Sequence, residues 1–240
     1  MNKWLFPVLL VAAVLTLSGC VDSLTNCVVG NGNVISETRD VEAFDDIALM
    51  GSASVYVTQG PQSLRVEAEE NLLEIFDTKV ENGKLSIGPT LPQCITALTP
   101  IKVFVSTPEI ESLAIMGSGQ IVGQTKIVSE SLSVNLTGSG NVSLDVDTQE
   151  LTTTLPGSGT ISFEGTATSH DITVTGSGQI ASFDLLTEET KVSLMGSGGI
   201  NVQASSELDA KIAGSGAILY KGNPTLIQSV TGSGKIQKAD

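Results

Sequence analysis

Aromatic side chains are scarce in this chain: six Phe, two Tyr and one Trp among 240 residues. A sugar-binding surface built on aromatic platforms is therefore poorly supplied. Positive charge is also scarce, with 12 Lys and Arg against 26 Asp and Glu and a formal net charge of −14. No basic cluster stands anywhere in the sequence, which excludes nucleic acid as a partner, because that binding rests on phosphate neutralisation by grouped Lys and Arg. Histidine occurs once, in Ser169-His170-Asp171. Adjacent strand residues point to opposite faces, so these three cannot converge as nucleophile, base and orienter. The expectation is a loop histidine without catalytic duty. Helical periodicity is nearly absent, the one candidate being 67–80, where Leu72, Leu73, Ile75 and Phe76 could form a short turn.

Long apolar runs are missing apart from one at the start. Lys3 precedes an apolar stretch from Leu5 to Leu17, and small residues lead to Cys20. The stretch falls short of the roughly 20 apolar residues that span a bilayer, and its layout is that of a secretory signal peptide over residues 1–19. Leu17-Ser18-Gly19-Cys20 resembles the lipobox of bacterial lipoproteins. The resemblance implies that Cys20 is acylated, becomes the new N-terminus and anchors the protein in a membrane, with residues 20–28 as a tether. Several acyl chains on one residue anchor stably, since each buried methylene contributes about 0.8 kcal/mol. Val21 stands where an aspartate would signal inner-membrane retention, which implies the outer membrane of a Gram-negative cell. With Cys20 assigned to lipid, Cys27 and Cys94 remain as a candidate disulfide in an oxidising compartment, two free thiols being the alternative.

What the chain has in quantity is glycine, 25 residues of it. Much of it falls in one tripeptide: Gly117-Ser118-Gly119, Gly138-Ser139-Gly140, Gly157-Ser158-Gly159, Gly176-Ser177-Gly178, Gly196-Ser197-Gly198, Gly214-Ser215-Gly216 and Gly232-Ser233-Gly234. Successive copies stand 18 to 21 residues apart, and a degenerate copy, Gly51-Ser52-Ala53, lies upstream. A recurring period of this size marks a repeat fold whose units bury their apolar faces against one another. Around each copy the apolar residues keep one parity: Leu132, Val134 and Leu136 before the second copy share phase with Gly138, Gly140, Val142 and Leu144. The glycines thus take inward positions, at corners where no inward side chain fits, and the serines point outward.

Two architectures use such corners: a parallel β-helix whose coils stack, and an antiparallel meander with Gly-Ser-Gly hairpin turns. The near-constant period favours the helix, because stacking demands matched corners and a meander does not. The expected fold is all-β, a parallel β-helix-like solenoid with a less regular part over 29–110 and the regular repeat over 111–240.

The segments 30–60, beginning GNGNV, and 63–87, followed by the Gly-Ser-Gly series, resemble the auto-transporter adhesin, head GIN domain family of bacterial envelope proteins. The resemblance extends from Gly30 to about Ile236 and implies a right-handed β-helix-like solenoid with an adhesin-like role. The repeats run to Ile236, so no translocator barrel is expected here, and a lipid anchor is the expected attachment.

No chemistry-bearing constellation emerges. Asp145 and Asp147 share one strand face and could flank a glycosidic bond, yet Leu144 and Val146 take the inward side, leaving both carboxylates on the solvated one. The residue after each corner varies among Gln120, Asn141, Thr160, Gln179, Gly199, Ala217 and Lys235, which does not make the aspartate ladder of calcium-binding repeats. No metal or cofactor is expected. The outward serines Ser118, Ser139, Ser158, Ser177, Ser197, Ser215 and Ser233 would form a polar ladder fit for a glycan or protein ligand, or they simply suit exposed tight corners. The function these readings support is a non-catalytic, lipid-anchored adhesion or recognition module on the cell surface. A periplasm-facing structural or assembly component is the alternative.

Overall fold

The computed structural model describes residues 27–90 and 94–239. Alternation of β-branched and polar residues makes strands of almost every segment. The first part holds β1 (Cys27–Val29), β2 (Val34–Thr38), β3 (Asp46–Gly51), β4 (Ser54–Gln59), β5 (Ser63–Glu69), a one-turn helix α1 (Glu70–Leu73), β6 (Phe76–Glu81), β7 (Lys84–Pro89), β8 (Cys94–Thr96) and β9 (Lys102–Thr107). Then follow β10 (Ser112–Gly117), β11 (Gln120–Gly123), β12 (Ile127–Gly138), β13 (Asn141–Gly157), β14 (Thr160–Gly176), β15 (Gln179–Gly196), β16 (Gly199–Gly214), β17 (Ala217–Lys221), β18 (Thr225–Gly232) and β19 (Lys235–Lys238).

The strands stack as a β-solenoid of about seven turns. Two columns run its length: one from β6 through β7, β3 and β10 to β18, the other from β2 through β5, β9, β4 and β11 to β19. The long strands β13 to β16 belong to both columns, because each bends round a corner. From β3 and β4 onward every neighbour is parallel, whereas β2–β5, β5–β9 and β6–β7 are antiparallel at the N-terminal end. Parallel pairing across the repeats rules out the meander.

Register follows the sequence period. Gly51, Gly117, Gly138, Gly157, Gly176, Gly196, Gly214 and Gly232 stand one above another. On the far side of the corner Val103, Val55, Ile121, Val142, Ile161, Ile180, Ile200, Ile218 and Ile236 form an unbroken β-branched column. All but Ile236 are fully buried, and each such side chain contributes roughly 1.5–3 kcal/mol.

Each complete coil has a second corner, and in β13, β14 and β15 the alternation slips by one there, whereas in β16 Ala204 and Leu208 flank it without a change of parity. In β13 Thr148 and Leu151 are both buried while Gln149 and Glu150 between them are exposed; in β15 Thr187 and Thr190 bracket the exposed Glu188 and Glu189. The two ends differ. At the N-terminal end Cys27 and Cys94 are joined by a disulfide that pairs β1 with β8. The fully buried Glu69 carboxylate accepts the backbone N–H of Gly32 (2.8 Å) and of Leu98 (2.9 Å), holding these segments together. At the other end β18 is largely exposed and, among the described residues, pairs on one edge only.

Candidate functional site

The corner glycines are explained by the coil beneath them. At Gly176 φ is +118°, a conformation that side-chain-bearing residues rarely adopt, and an added Cβ would stand 2.6 Å from the carbonyl oxygen of Gly157. At Gly159 an added Cβ would stand 2.6 Å from both the carbonyl oxygen of Gly140 and Leu136 Cδ2. The carbonyls are held by bonds of their own: Ser177 donates its N–H to Gly157 (3.0 Å) and Gln179 donates to Gly159 (2.9 Å), a pattern repeated from coil to coil. The obstacle at these positions is therefore chiefly the backbone of the neighbouring coil, not a constriction of the coil itself. At the degenerate copy Gly51-Ser52-Ala53 a Cβ on Gly51 would meet only Pro89 Cδ at 3.8 Å, although φ there is +105°.

The seven corner serines are exposed, with their N–H groups spent on the ladder. Cys20 lies outside the described residues. Asp145 and Asp147 are each engaged, Asp145 Oδ1 lying 3.1 Å from Lys126 Nζ and Asp147 accepting the Thr166 hydroxyl at 2.9 Å.

His170 is not in a loop. It occupies an inward position of β14 and is 2 % exposed, edge-on to Phe163 with ring centroids 5.5 Å apart, and its Nε2 lies 2.9 Å from Thr153 Oγ1. Burial drives its pKa from 6.5 down to about 3, so it is neutral in any physiological medium. Asp171 is exposed, and Ser169 is half-buried with its hydroxyl donated to the carbonyl of Gln149 at 3.4 Å.

A groove of about 610 Å³ runs along the second corner. Its floor is a column of small buried residues in register, Thr148, Ala167, Thr187 and Ala204. One wall is the adjoining column Asp147, Thr166, Leu186 and Gln203; the other carries Thr168, Glu188 and Ser205. Thr187 donates its hydroxyl to the carbonyl of Gln203 (2.6 Å) and lies 2.6 Å from the Thr190 hydroxyl, which satisfies the buried floor. Among the described residues no group of three or more His, Cys, Asp or Glu is placed to hold a metal ion. The sequence pattern that marked the glycine corner gave no sign of this one, because its residues share small size and no single identity. The available signal was the recurring slip in alternation.

A family model described as "Putative auto-transporter adhesin, head GIN domain" matches residues 43–224. The chain belongs to this family. Solved structures share the head GIN fold: a "putative adhesin" from Bacteroides fragilis NCTC 9343 superposes with a TM-score of 0.83 at 23% identity, covering 88% of this chain and 100% of that one. A "putative lipid binding protein" from Parabacteroides distasonis ATCC 8503 has a TM-score of 0.77 at 30% identity, covering 90% of this chain and 100% of that one. A "putative adhesin" from Parabacteroides merdae ATCC 43184 has a TM-score of 0.74 at 21% identity, covering 89% and 99%. Among curated proteins nothing matches.

Proposed function

We propose that this head GIN protein is a non-catalytic recognition module of the bacterial envelope, anchored through acylated Cys20 and displayed at the cell surface. The observation that carries the reading is the groove: an open, solvent-facing furrow laid across at least four coils of a scaffold whose inward columns are filled and whose corners are tied backbone to backbone. Such a scaffold presents side chains at fixed spacing and has little freedom to close round a substrate. The single histidine is buried and neutral, and the paired carboxylates Asp145 and Asp147 are already engaged. Membership of an adhesin-like family points to the envelope.

The relative at 30% identity is described as a "putative lipid binding protein". For this chain the lipobox-like Leu17-Ser18-Gly19-Cys20 favours lipid that is covalently attached. Six residues lie between Cys20 and Cys27, seven chain steps with a reach of at most about 25 Å, so the disulfide-bonded end of the rod stays within that distance of the membrane.

The test is protease accessibility of a C-terminally tagged protein on intact cells, with a periplasmic protein as control. Digestion on intact cells supports surface display. Protection until the outer membrane is opened overturns it and leaves the periplasmic scaffold role.

A further inference from the structure

We infer that the second-corner groove binds a linear, uncharged glycan lying along the solenoid axis, about one sugar unit per coil; this rests on the recognition role proposed above. The direction of the groove decides the shape of its ligand. Its floor climbs from coil to coil, crossing the strands, and stacked strands are about 4.7–4.9 Å apart. That spacing is close to the advance of one pyranose unit along an extended chain.

The lining decides the chemistry. The backbone N–H and C=O groups of the floor are consumed in the parallel ladder linking Thr148, Ala167, Thr187 and Ala204, so a peptide finds no main-chain partners there. The small floor residues make a continuous furrow in place of the separate pockets that peptide side chains require. What the walls offer is a repeating set of hydroxyl, amide and carboxylate groups: Thr168 and Glu188 on one side, Gln203 on the other, with Leu186, 52 % exposed, as an apolar surface for the C–H face of a sugar ring. Carboxylates accept hydrogen bonds from sugar hydroxyls and repel acidic groups. Among the described residues no Lys or Arg lines the groove, and the chain carries a net charge of −14, which disfavours uronates, sulfated chains and phosphates. The exposed serine column lines no part of the groove.

Without an aromatic platform each sugar contributes little, so affinity has to accumulate along the chain. The experiment titrates the full purified chain with a panel of neutral linear oligosaccharides, α- and β-1,4-linked glucans, β-1,4-mannan and β-1,4-linked N-acetylglucosamine, at lengths from two to about five units. Oligogalacturonates of equal length are the charged comparison. The expected result is that at least one neutral series gains roughly tenfold in affinity between the dimer and the pentamer, while the uronates bind more weakly or not at all. Thr168→Trp, which fills the groove from its exposed wall, should abolish the binding; Glu188→Ala should weaken it several-fold with an unchanged melting temperature; Ser177→Trp, at the other corner, should leave it unaffected. Absence of binding by the whole neutral panel, no gain with length, equal binding of uronates, or binding insensitive to both Thr168→Trp and Glu188→Ala overturns the inference. The two readings fail separately: a surface-exposed chain that binds no glycan removes only the ligand class, and a glycan-binding chain protected inside the outer membrane removes only the surface role.

Discussion

Gly159 lies directly over Gly140, close enough that a Cβ on the upper residue would stand 2.6 Å from the carbonyl oxygen of the lower one. The same oxygen accepts the N–H of Thr160 at 3.1 Å, so it cannot retreat without breaking a rung of the ladder. Gly159→Val is therefore expected to destabilise the fold by several kcal/mol, through a backbone clash and the lost bond together. Ser158→Ala, one residue away and exposed, should change stability by less than about 0.5 kcal/mol. Thermal melts of the two variants check the ranking.

The buried histidine makes stability depend on pH. Its folded pKa is depressed to about 3, so between about 3 and 6.5 the unfolded chain binds a proton that the native chain does not. Stability is complete above 6.5 and falls as the medium is acidified, by about 2 kcal/mol at pH 5. His170→Leu removes this contribution, so the difference in denaturant midpoint between wild type and variant should shift in the variant's favour between pH 7 and pH 5. A difference independent of pH would mean that His170 is accessible and titrates normally.

How far all this could be read from the residues depends on what each position asks of a side chain. The glycine corner was legible because contact between backbones admits one residue type, and the repeated letter exposes it. The groove was not, since Thr148, Ala167, Thr187 and Ala204 satisfy only a limit on size. His170 shows where parity misleads. Counting forward from Gly159 through Ile161 and Phe163 makes Ser169 inward, while counting back from Gly176 through Val174 and Ile172 makes His170 inward. The two counts disagree because the second corner lies between them, and the disagreement itself locates that corner.

The Cys27–Cys94 bond closes a loop of 67 residues around the N-terminal coil. Cys27→Ser is expected to lower stability by up to roughly 4 kcal/mol on the loop-entropy model. Since the repeats lie outside that loop, hydrogen exchange should accelerate in β1 and β8 well before it does in β14 or β15.

The β18 edge is uncharged over all eight residues, with Ile227 50 % and Val230 42 % exposed. Such an edge invites pairing with another chain. Ile227→Lys should reduce concentration-dependent self-association in sedimentation or light scattering without lowering the melting temperature, because the side chain faces water already.

The chemistry of the glycine corner is complete within one coil and the coil beside it. Gly159 offers its carbonyl to the N–H of Gln179 in the coil above as Gly140 offers its own to Thr160, and Gly178 continues the series with Gly199. A tandem duplication of one period would need no compensating change at the junction, so the height of the rod can drift by whole storeys over evolutionary time. The length of the rod is then a matter of copy number, adjustable separately from the side chains its walls present.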